Sequence, residues 1–356
     1  LEVALEGKKP DSIIREERPL VDKNVTYIEN SVDRIDLNQR VVFTADGKKL
    51  AYDYIILATG SVPDPDSIAG LRAASLNFHT STEDSLKIWD ALQQFRKGHI
   101  VLGIAGVPHK CPPSPNEGTF LLDDYLRKSG KRDDAKITFV TPYPRPYPAE
   151  AMSKVVEPLF QKRGIDVVTF FNLESVDPTK KELYSLEGDT LSYDLLIMVP
   201  PHRGADVIIK SGLGDKDGWI PTDKYTMNVK GYDNAYAIGD CTDIPVSKTG
   251  VTAHLEAKVA ANNIISSIEN LGQTHKYTGR INCPFEMGSG KAAFVVGSYE
   301  KPVKEIHPSR IRHVMKRGFE RIYWRSLTGN LDWLLDTYFG ATDIVENSKP
   351  TVVSSK

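Results

Sequence analysis

Little in this sequence pulls in one direction. The 356 residues carry 45 Lys and Arg against 47 Asp and Glu, a formal charge of -2. Such a chain has no whole-molecule field to draw in nucleic acid, so none is expected as a partner, although a local basic patch stays open. No apolar run approaches the ~20 residues that a membrane-crossing helix needs. The cysteines are too few to staple a chain of this length. Cys111, Cys241 and Cys283 also lack the short spacings that hold zinc, so no metal is expected. Internal repeats, low-complexity segments and a GxGxxG turn are all missing. The chain starts at Leu1 and shows no basic start followed by an apolar run and a cleavage site, so no signal peptide can be read.

With 40% hydrophobic and 26% charged residues, the composition is that of an ordinary globular protein of two or three domains. Short apolar or β-branched runs recur: Val25 to Ile28, Val41 to Phe43, Tyr54 to Leu57, His99 to Leu102, Ile137 to Val140, Val167 to Phe170 and Leu195 to Met198. Several are separated by helical stretches, which predicts an α/β chain with parallel sheets. From about Ala91 to Pro201 the order is strand, loop, helix, strand, helix, strand, strand, a complete Rossmann-like unit. Within it, Ser114, Pro115 and Glu117 are placed as expected for Ncap, N1 and N3 of a helix reaching about Lys128 and stopping near Gly130. A second helix is expected from Ala149 to Arg163, and a long one from Val251 to Asn270.

Two further strands run into glycine turns, Tyr54-Ile-Ile-Leu-Ala-Thr-Gly60 and Tyr236-Ala-Ile-Gly-Asp240. Ligands sit at the carboxyl ends of strands in open α/β sheets, so both turns are candidate cofactor contacts, with an ordinary strand exit as the alternative for each. The turn after residue 102 does not suit a nicotinamide nucleotide. It carries Pro108, Pro112 and Pro113, and the next strand ends in Thr141-Pro142 where an acidic ribose ligand is usual. What this turn offers is Cys111, just ahead of a helix start and beside His109 and Lys110. Dipole and charge both favour thiolate there, and the alternative is a small buried residue.

Asp53 to Ser61 and Ala237 to Asp240 resemble the two signatures of flavin-dependent disulfide-reductase-like enzymes with two dinucleotide-binding domains. Three more stretches are similar to sulfide:quinone oxidoreductase and to the flavoprotein subunit of flavocytochrome c sulfide dehydrogenase. They are Lys110-Cys-Pro-Pro-Ser-Pro-Asn-Glu117, Ser247-Lys-Thr-Gly250 with the helix after it, and Cys283-Pro-Phe-Glu-Met-Gly288. The resemblance runs over nearly the whole chain. It implies two Rossmann-like domains, the first truncated before its GxGxxG unit, plus a C-terminal amphipathic helical region. The expected division is an FAD-binding domain from residues 1–90 and 206–275, a Rossmann-like domain over 91–205 carrying Cys111, and a membrane- and quinone-facing region over 276–356. The missing opening unit, which holds the ADP half of FAD in the family, is expected to lie in a longer natural chain.

The family also implies roles. Cys111 and Cys283 form a redox pair facing the flavin. Sulfide attacks one sulfur to give a persulfide, and the released thiolate passes electrons to FAD and on to a quinone. Cys241 is expected to pack near the flavin. Asp240 would accept hydrogen bonds from ribityl or ribose hydroxyls, with Thr59, Gly60 and Gly239 near the FAD backbone. Lys248, Thr249 and Gly250 would lead a helix start to the flavin edge that gains negative charge. His202 could relay a proton on the sulfide side, and Lys291 could sit near the quinone end. Phe285, Phe294, Tyr323 and Phe339 are candidates for stacking on a quinone.

From Arg310 to Arg325, six basic residues and Glu320 accompany apolar residues at helical spacing. This suits either an interfacial helix or one docked on the protein's own core. The family favours the former, so the expectation is a peripheral membrane protein on the cytoplasmic side, with a homo-oligomer possible. Rival readings are a flavocytochrome c type dehydrogenase, a type II NADH dehydrogenase, and a flavin-free paralogue acting as an interaction protein.

Overall fold

The computed structural model describes residues 1–328 together with 331, 333, 334, 337, 345 and 346. Helix α1 (Glu2–Glu6) leads to an antiparallel meander of β1 (Val32–Asp36), β2 (Val41–Thr44) and β3 (Lys49–Ala51), then to β4 (Ile55–Leu57) and β5 (Ser61–Pro63). Helices α2 (Leu71–Ala74) and α3 (Thr82–Gln94) precede the central unit. That unit contains β6 (Gly98–Ile104), α4 (Ser114–Lys128), β7 (Ala135–Val140), α5 (Glu150–Lys162) and β8 (Ile165–Val168). It ends with a second meander, β9 (Leu173–Asp177), β10 (Glu182–Ser185) and β11 (Thr190–Ser192), and then β12 (Leu195–Val199). The chain continues through β13 (His202–Gly204), α6 (Asp206–Ser211), β14 (Ala235–Ala237), α7 (Gly250–Ile268) and β15 (His275–Lys276). The hairpin β16 (Ile281–Glu286) and β17 (Ala292–Gly297), α8 (Arg310–Ser326) and β18 (Val345–Glu346) complete the described elements.

The α/β class and its Rossmann-like organisation hold. Strands β12, β6, β7 and β8 form one parallel sheet in that order, with Ile100 aligned to Ile137 on one side and to Leu195 on the other. Both faces are covered, so these strands are continuous apolar runs rather than alternating ones. Gly103 lies inside β6, where an added Cβ would come within 2.0 Å of the Val140 carbonyl oxygen. Close strand packing accounts for this glycine, not an approach to phosphate.

The hairpin β16–β17 shares a core with this unit. Phe285, Met287, Ala293 and Val295 pack with Ile100, Phe120, Phe139 and Phe160, and the Phe285 ring stacks on Tyr147 at 5.8 Å. Burying a phenylalanine of this kind contributes about 1.5–3 kcal/mol. The strand beginning at Ile281 is thereby fixed against α4, through the contact of Phe285 with Phe120.

Three expectations change. Residues Val25 to Ile28 form no strand, and Val25 and Ile28 are exposed. A β-branched run becomes a strand only where a neighbouring edge and a core accept it. Strand β8 ends at Val168, and Phe170 is exposed with φ +55°. Helix α4 begins at Ser114 with Pro113 as its N-cap, so Ser114 and Glu117 do not form a capping box. Both side chains are engaged elsewhere, as described below.

Candidate functional site

Strands β4 and β14 pair in parallel, Ile55 with Ala235 and Leu57 with Ala237, and the Ile238 N–H donates to the Leu57 carbonyl at 3.0 Å. This pairing sets the turns at Thr59-Gly60 and Gly239-Asp240 side by side at the carboxyl ends of the two strands. Gly239 has φ +71°, a conformation open to glycine, and its N–H donates to the buried Glu256 Oε2 on α7 at 2.6 Å. Gly60 has φ +66° and faces open space where a Cβ would stand. The Ser61 hydroxyl donates to Asp240 Oδ2 at 3.3 Å, and burial raises the Asp240 pKa above the usual carboxylate value. Cys241 is fully buried, with Sγ 3.2 Å from the Ile238 carbonyl and 3.4 Å from that of Leu57. Burial pushes its thiol up, which makes it a packing residue rather than a nucleophile.

The loop before α7 joins this turn to the cysteine segment. The Lys248 ammonium donates to the carbonyls of Asp240, at 2.9 Å, and Thr242, at 2.7 Å, and lies 4.1 Å from the Trp219 ring centre. Its charge is spent on the turn itself. The Lys248 carbonyl accepts the Cys111 N–H at 2.7 Å, while Thr249 caps α7 through its hydroxyl.

Cys111 has φ +52° and sits one turn ahead of α4, and the Ser114 N–H donates to its carbonyl at 2.8 Å. Cys283 reaches it from β16, and the two thiols are hydrogen-bonded to each other. That hydrogen bond is the main cause of a lowered Cys111 pKa. The Ser114 hydroxyl and Lys316 act in the same direction, against burial and the Glu117 charge. Cys283 is pushed well up by the same hydrogen bond and by burial, so Cys111 is the thiol of the pair that gives up its proton first.

The sequence placed positive charge from His109 beside Cys111, and the structure does not. His109 is buried, its Nδ1 lies 3.0 Å from the Lys110 carbonyl oxygen, and burial lowers its pKa, leaving the ring neutral. The charge near the sulfur comes from Lys316 on α8, which is ion-paired with Glu117 on α4. Glu286 and Glu320 also lie within 4.0 Å of that ammonium.

These residues wall a cavity of about 800 Å³, within the roughly 300–1,000 Å³ typical of small-molecule sites. One side carries Cys111, Cys283, Ser114 and His79; another carries Asp240, Lys248, Thr249 and Gly250; Phe319 and Tyr323 of α8 close it. Thr59, Gly60 and Gly239 are next to Ser61 and Asp240 in the chain and do not line the cavity. His202 does not line it either. It is buried, its Nδ1 is 2.9 Å from the Pro200 carbonyl oxygen, and burial lowers its pKa to about 4. His79, in the loop between α2 and α3, stands between His202 and the cavity, with ring centres 5.4 Å apart. No motif in the sequence marks His79 or Phe319, and Ser114 is marked there only as a helix cap within the stretch from Lys110 to Glu117.

Of the residues expected to stack on a quinone, Tyr323 lines the cavity. Phe285 is buried in the central core, two residues further along β16 than Cys283, and neither it nor Phe294 of β17 is in the lining. Phe339 lies outside the described residues. Lys291 occupies the exposed β16–β17 turn, its N–H donating to the Gly288 carbonyl at 3.1 Å, away from the cavity lining.

Helix α8 turns part of its basic face inward. Lys316 pairs with Glu117, and Arg317 with Glu2, Glu6 and Glu320, while Ile311, Val314 and Met315 are exposed. Among the described residues no helix is long and apolar enough to cross a membrane.

Known proteins are similar to this chain in sequence and in fold. The mitochondrial sulfide:quinone oxidoreductase of Mus musculus is 28% identical over 305 residues, covering 83% of this chain and 68% of that protein. The sulfide-quinone reductase of Aquifex aeolicus is 26% identical over 346 residues, covering 88% and 78%. The chain is a relative of the sulfide:quinone oxidoreductases. The crystal structure of the Aquifex aeolicus sulfide:quinone oxidoreductase superposes on all of the chain and 89% of its own length with a TM-score of 0.87 at 23% identity, a shared fold. NDH2 from Plasmodium falciparum, solved with NADH, gives a TM-score of 0.64 at 16% identity. No family model matches the chain.

Proposed function

We propose that this sulfide:quinone oxidoreductase relative is an FAD-dependent enzyme that oxidises sulfide and delivers the electrons to a quinone. The observation that carries the reading is the meeting of Cys111 and Cys283 on one wall of a cavity whose other wall is the Asp240 turn and the start of α7.

The residues fit a flavin on structural grounds. The open space at Gly60, the half-buried Asp240 in the cavity lining and the helix start at Gly250 together form a cradle for a polar chain and an electron-rich ring edge. Thr59, Gly60, Gly239, Asp240, Lys248, Thr249 and Gly250 would hold FAD, which supplies a two-electron acceptor when bound. The chain's own step is thiol–disulfide chemistry. Hydrosulfide attacks one sulfur of the oxidised Cys111–Cys283 pair and the S–S bond breaks. The attacked cysteine becomes a persulfide and the other leaves as thiolate. The thiolate preference of Cys111 makes it the better leaving sulfur, so attack falls on Cys283. Phe319 and Tyr323 present an apolar wall suited to a quinone ring.

The exposed Ile311, Val314 and Met315, with Arg310, Arg321 and Arg325 also solvent-facing, support peripheral binding of α8 to an anionic membrane. NADH is not the expected donor, because Gly103 is packed inside β6 and the turn beyond it is proline-rich.

The test is anaerobic addition of sulfide to the purified holoprotein. Sulfide should bleach the flavin absorption, and a soluble quinone should restore it. Loss of bleaching in both Cys111→Ser and Cys283→Ser assigns the pair; bleaching by NADH but not by sulfide refutes the reading.

A further inference from the structure

His79 is built into its place. The Asn77 side-chain oxygen accepts the His79 N–H at 3.0 Å and the Thr80 N–H and hydroxyl at 3.0 and 2.8 Å, which closes the loop around the ring. Phe78 and His202 pack edge-on against it, at 5.1 and 5.4 Å between ring centres. Its Nε2 lies 2.8 Å from the Ser114 hydroxyl; Ser114 donates its backbone N–H to the Cys111 carbonyl at 2.8 Å, and its side chain acts to lower the Cys111 pKa. Its Nδ1 is buried and has no partner among the described residues.

Burial holds the ring neutral, so it carries a single N–H. On Nδ1 that hydrogen would be a buried donor without an acceptor, and Nε2 would draw the Ser114 proton away from sulfur. On Nε2 it donates to the Ser114 oxygen, and only a lone pair stays unpaired. An orphaned buried N–H is the rarer and costlier defect.

We propose that His79, protonated on Nε2, is a positioning residue that turns Ser114 into a hydrogen-bond donor to the Cys111 sulfur. The chain runs Nε2–H to Oγ, then Oγ–H to Sγ. This rests on the reading of Cys111 as the thiolate of the redox pair. Other titratable and charged groups face the same atoms. His202, His109, Lys110 and the Leu1 amino group face the ring, and Cys283, Glu117, Lys316 and Tyr147 face the sulfur.

The experiment follows the rate of iodoacetamide alkylation against pH in the fully reduced protein, with Cys111 resolved from Cys241 and Cys283 by peptide mapping. The midpoint of the profile is the readout, since intrinsic nucleophilicity moves against thiolate fraction. Ser114→Ala should raise the midpoint by about one unit, a roughly tenfold loss of thiolate at a fixed lower pH. His79→Phe should raise it in the same direction, and in the Ser114→Ala background it should add nothing. His79→Gln keeps an N–H near the Nε2 position and should hold the wild-type midpoint. His79→Asn, whose amide sits nearer Nδ1, should behave like Phe.

A wild-type midpoint in His79→Phe or His79→Asn overturns the proposal. So does a His79 effect that persists without the Ser114 hydroxyl. If His79→Phe does not fold, the contrast between His79→Gln and His79→Asn decides. Because the assay needs neither flavin nor sulfide, its outcome is separate from the bleaching experiment.

Discussion

Lys316→Met is the most informative perturbation away from the sulfur atoms. The ammonium is only 14% exposed, touches Glu117, and lies 3.9 Å from Glu286 and 4.0 Å from Glu320. At ~4 Å and an effective dielectric constant of about 20, each attraction is about 4 kcal/mol, offset by a desolvation penalty of several kcal/mol per ion. Removing the cation strands carboxylates that were buried in its company, and the expected loss of stability at pH 7 is about 3–5 kcal/mol. Burial opposes the Lys316 charge, but Glu117 and Glu286 outweigh it and raise its pKa in the fold. Its contribution is therefore complete below the ordinary lysine value and is lost only as pH rises past the folded one, so neutral pH reports it in full.

Glu286 and Glu320 already have raised pKa values, through burial first. Without Lys316 they rise further, so the deficit of the variant should shrink as the pH falls toward 5. Urea unfolding of wild type, K316M, Glu117→Gln and the double variant at two pH values measures this. The double variant should lose less than the sum of the singles, because Glu117 no longer needs the cation. The same loss should raise the Cys111 alkylation midpoint, since Glu117 then faces the sulfur unbalanced. A K316M cost below about 1 kcal/mol, or additive singles, would refute the reasoning.

Three further outcomes are expected. Glu256 has a folded pKa raised to about 8 by burial. Wild-type stability should therefore fall as pH rises from the unfolded carboxylate value toward 8, and Glu256→Gln should flatten that window in a thermal-melt series across pH. Cys241→Ala removes a small buried thiol. It should cost about 1–2 kcal/mol by urea titration and leave sulfide bleaching of the flavin intact; loss of bleaching would make Cys241 part of the chemistry. The triple change Ile311→Gln, Val314→Gln and Met315→Gln should abolish cosedimentation with anionic vesicles while leaving flavin bleaching by sulfide unchanged, and retained cosedimentation would assign membrane contact to another surface.

Local order was legible in the sequence wherever a single element sufficed. The continuous apolar runs of β6, β7 and β12 read as buried parallel strands because their side chains are covered on both faces. The turn at Gly239 and Asp240 could be placed at a strand end because an apolar run stops there at a glycine. Cys111 stood out by its position ahead of a helix. Runs such as Val25 to Ile28 misled, since a strand exists only where a partner edge is present.

What tertiary structure alone decided is which charges and donors reach the sulfur. His109 and Lys110 are neighbours of Cys111 in sequence, yet Ser114, Cys283 and Lys316 set its thiol. His79, 32 positions upstream, reaches it only through Ser114. Electrostatics and hydrogen bonds act over a few ångströms of space, and the burial of β16 and α8 against α4 brings those distances about. A sequence records which groups are available, while the packed core determines which of them meet.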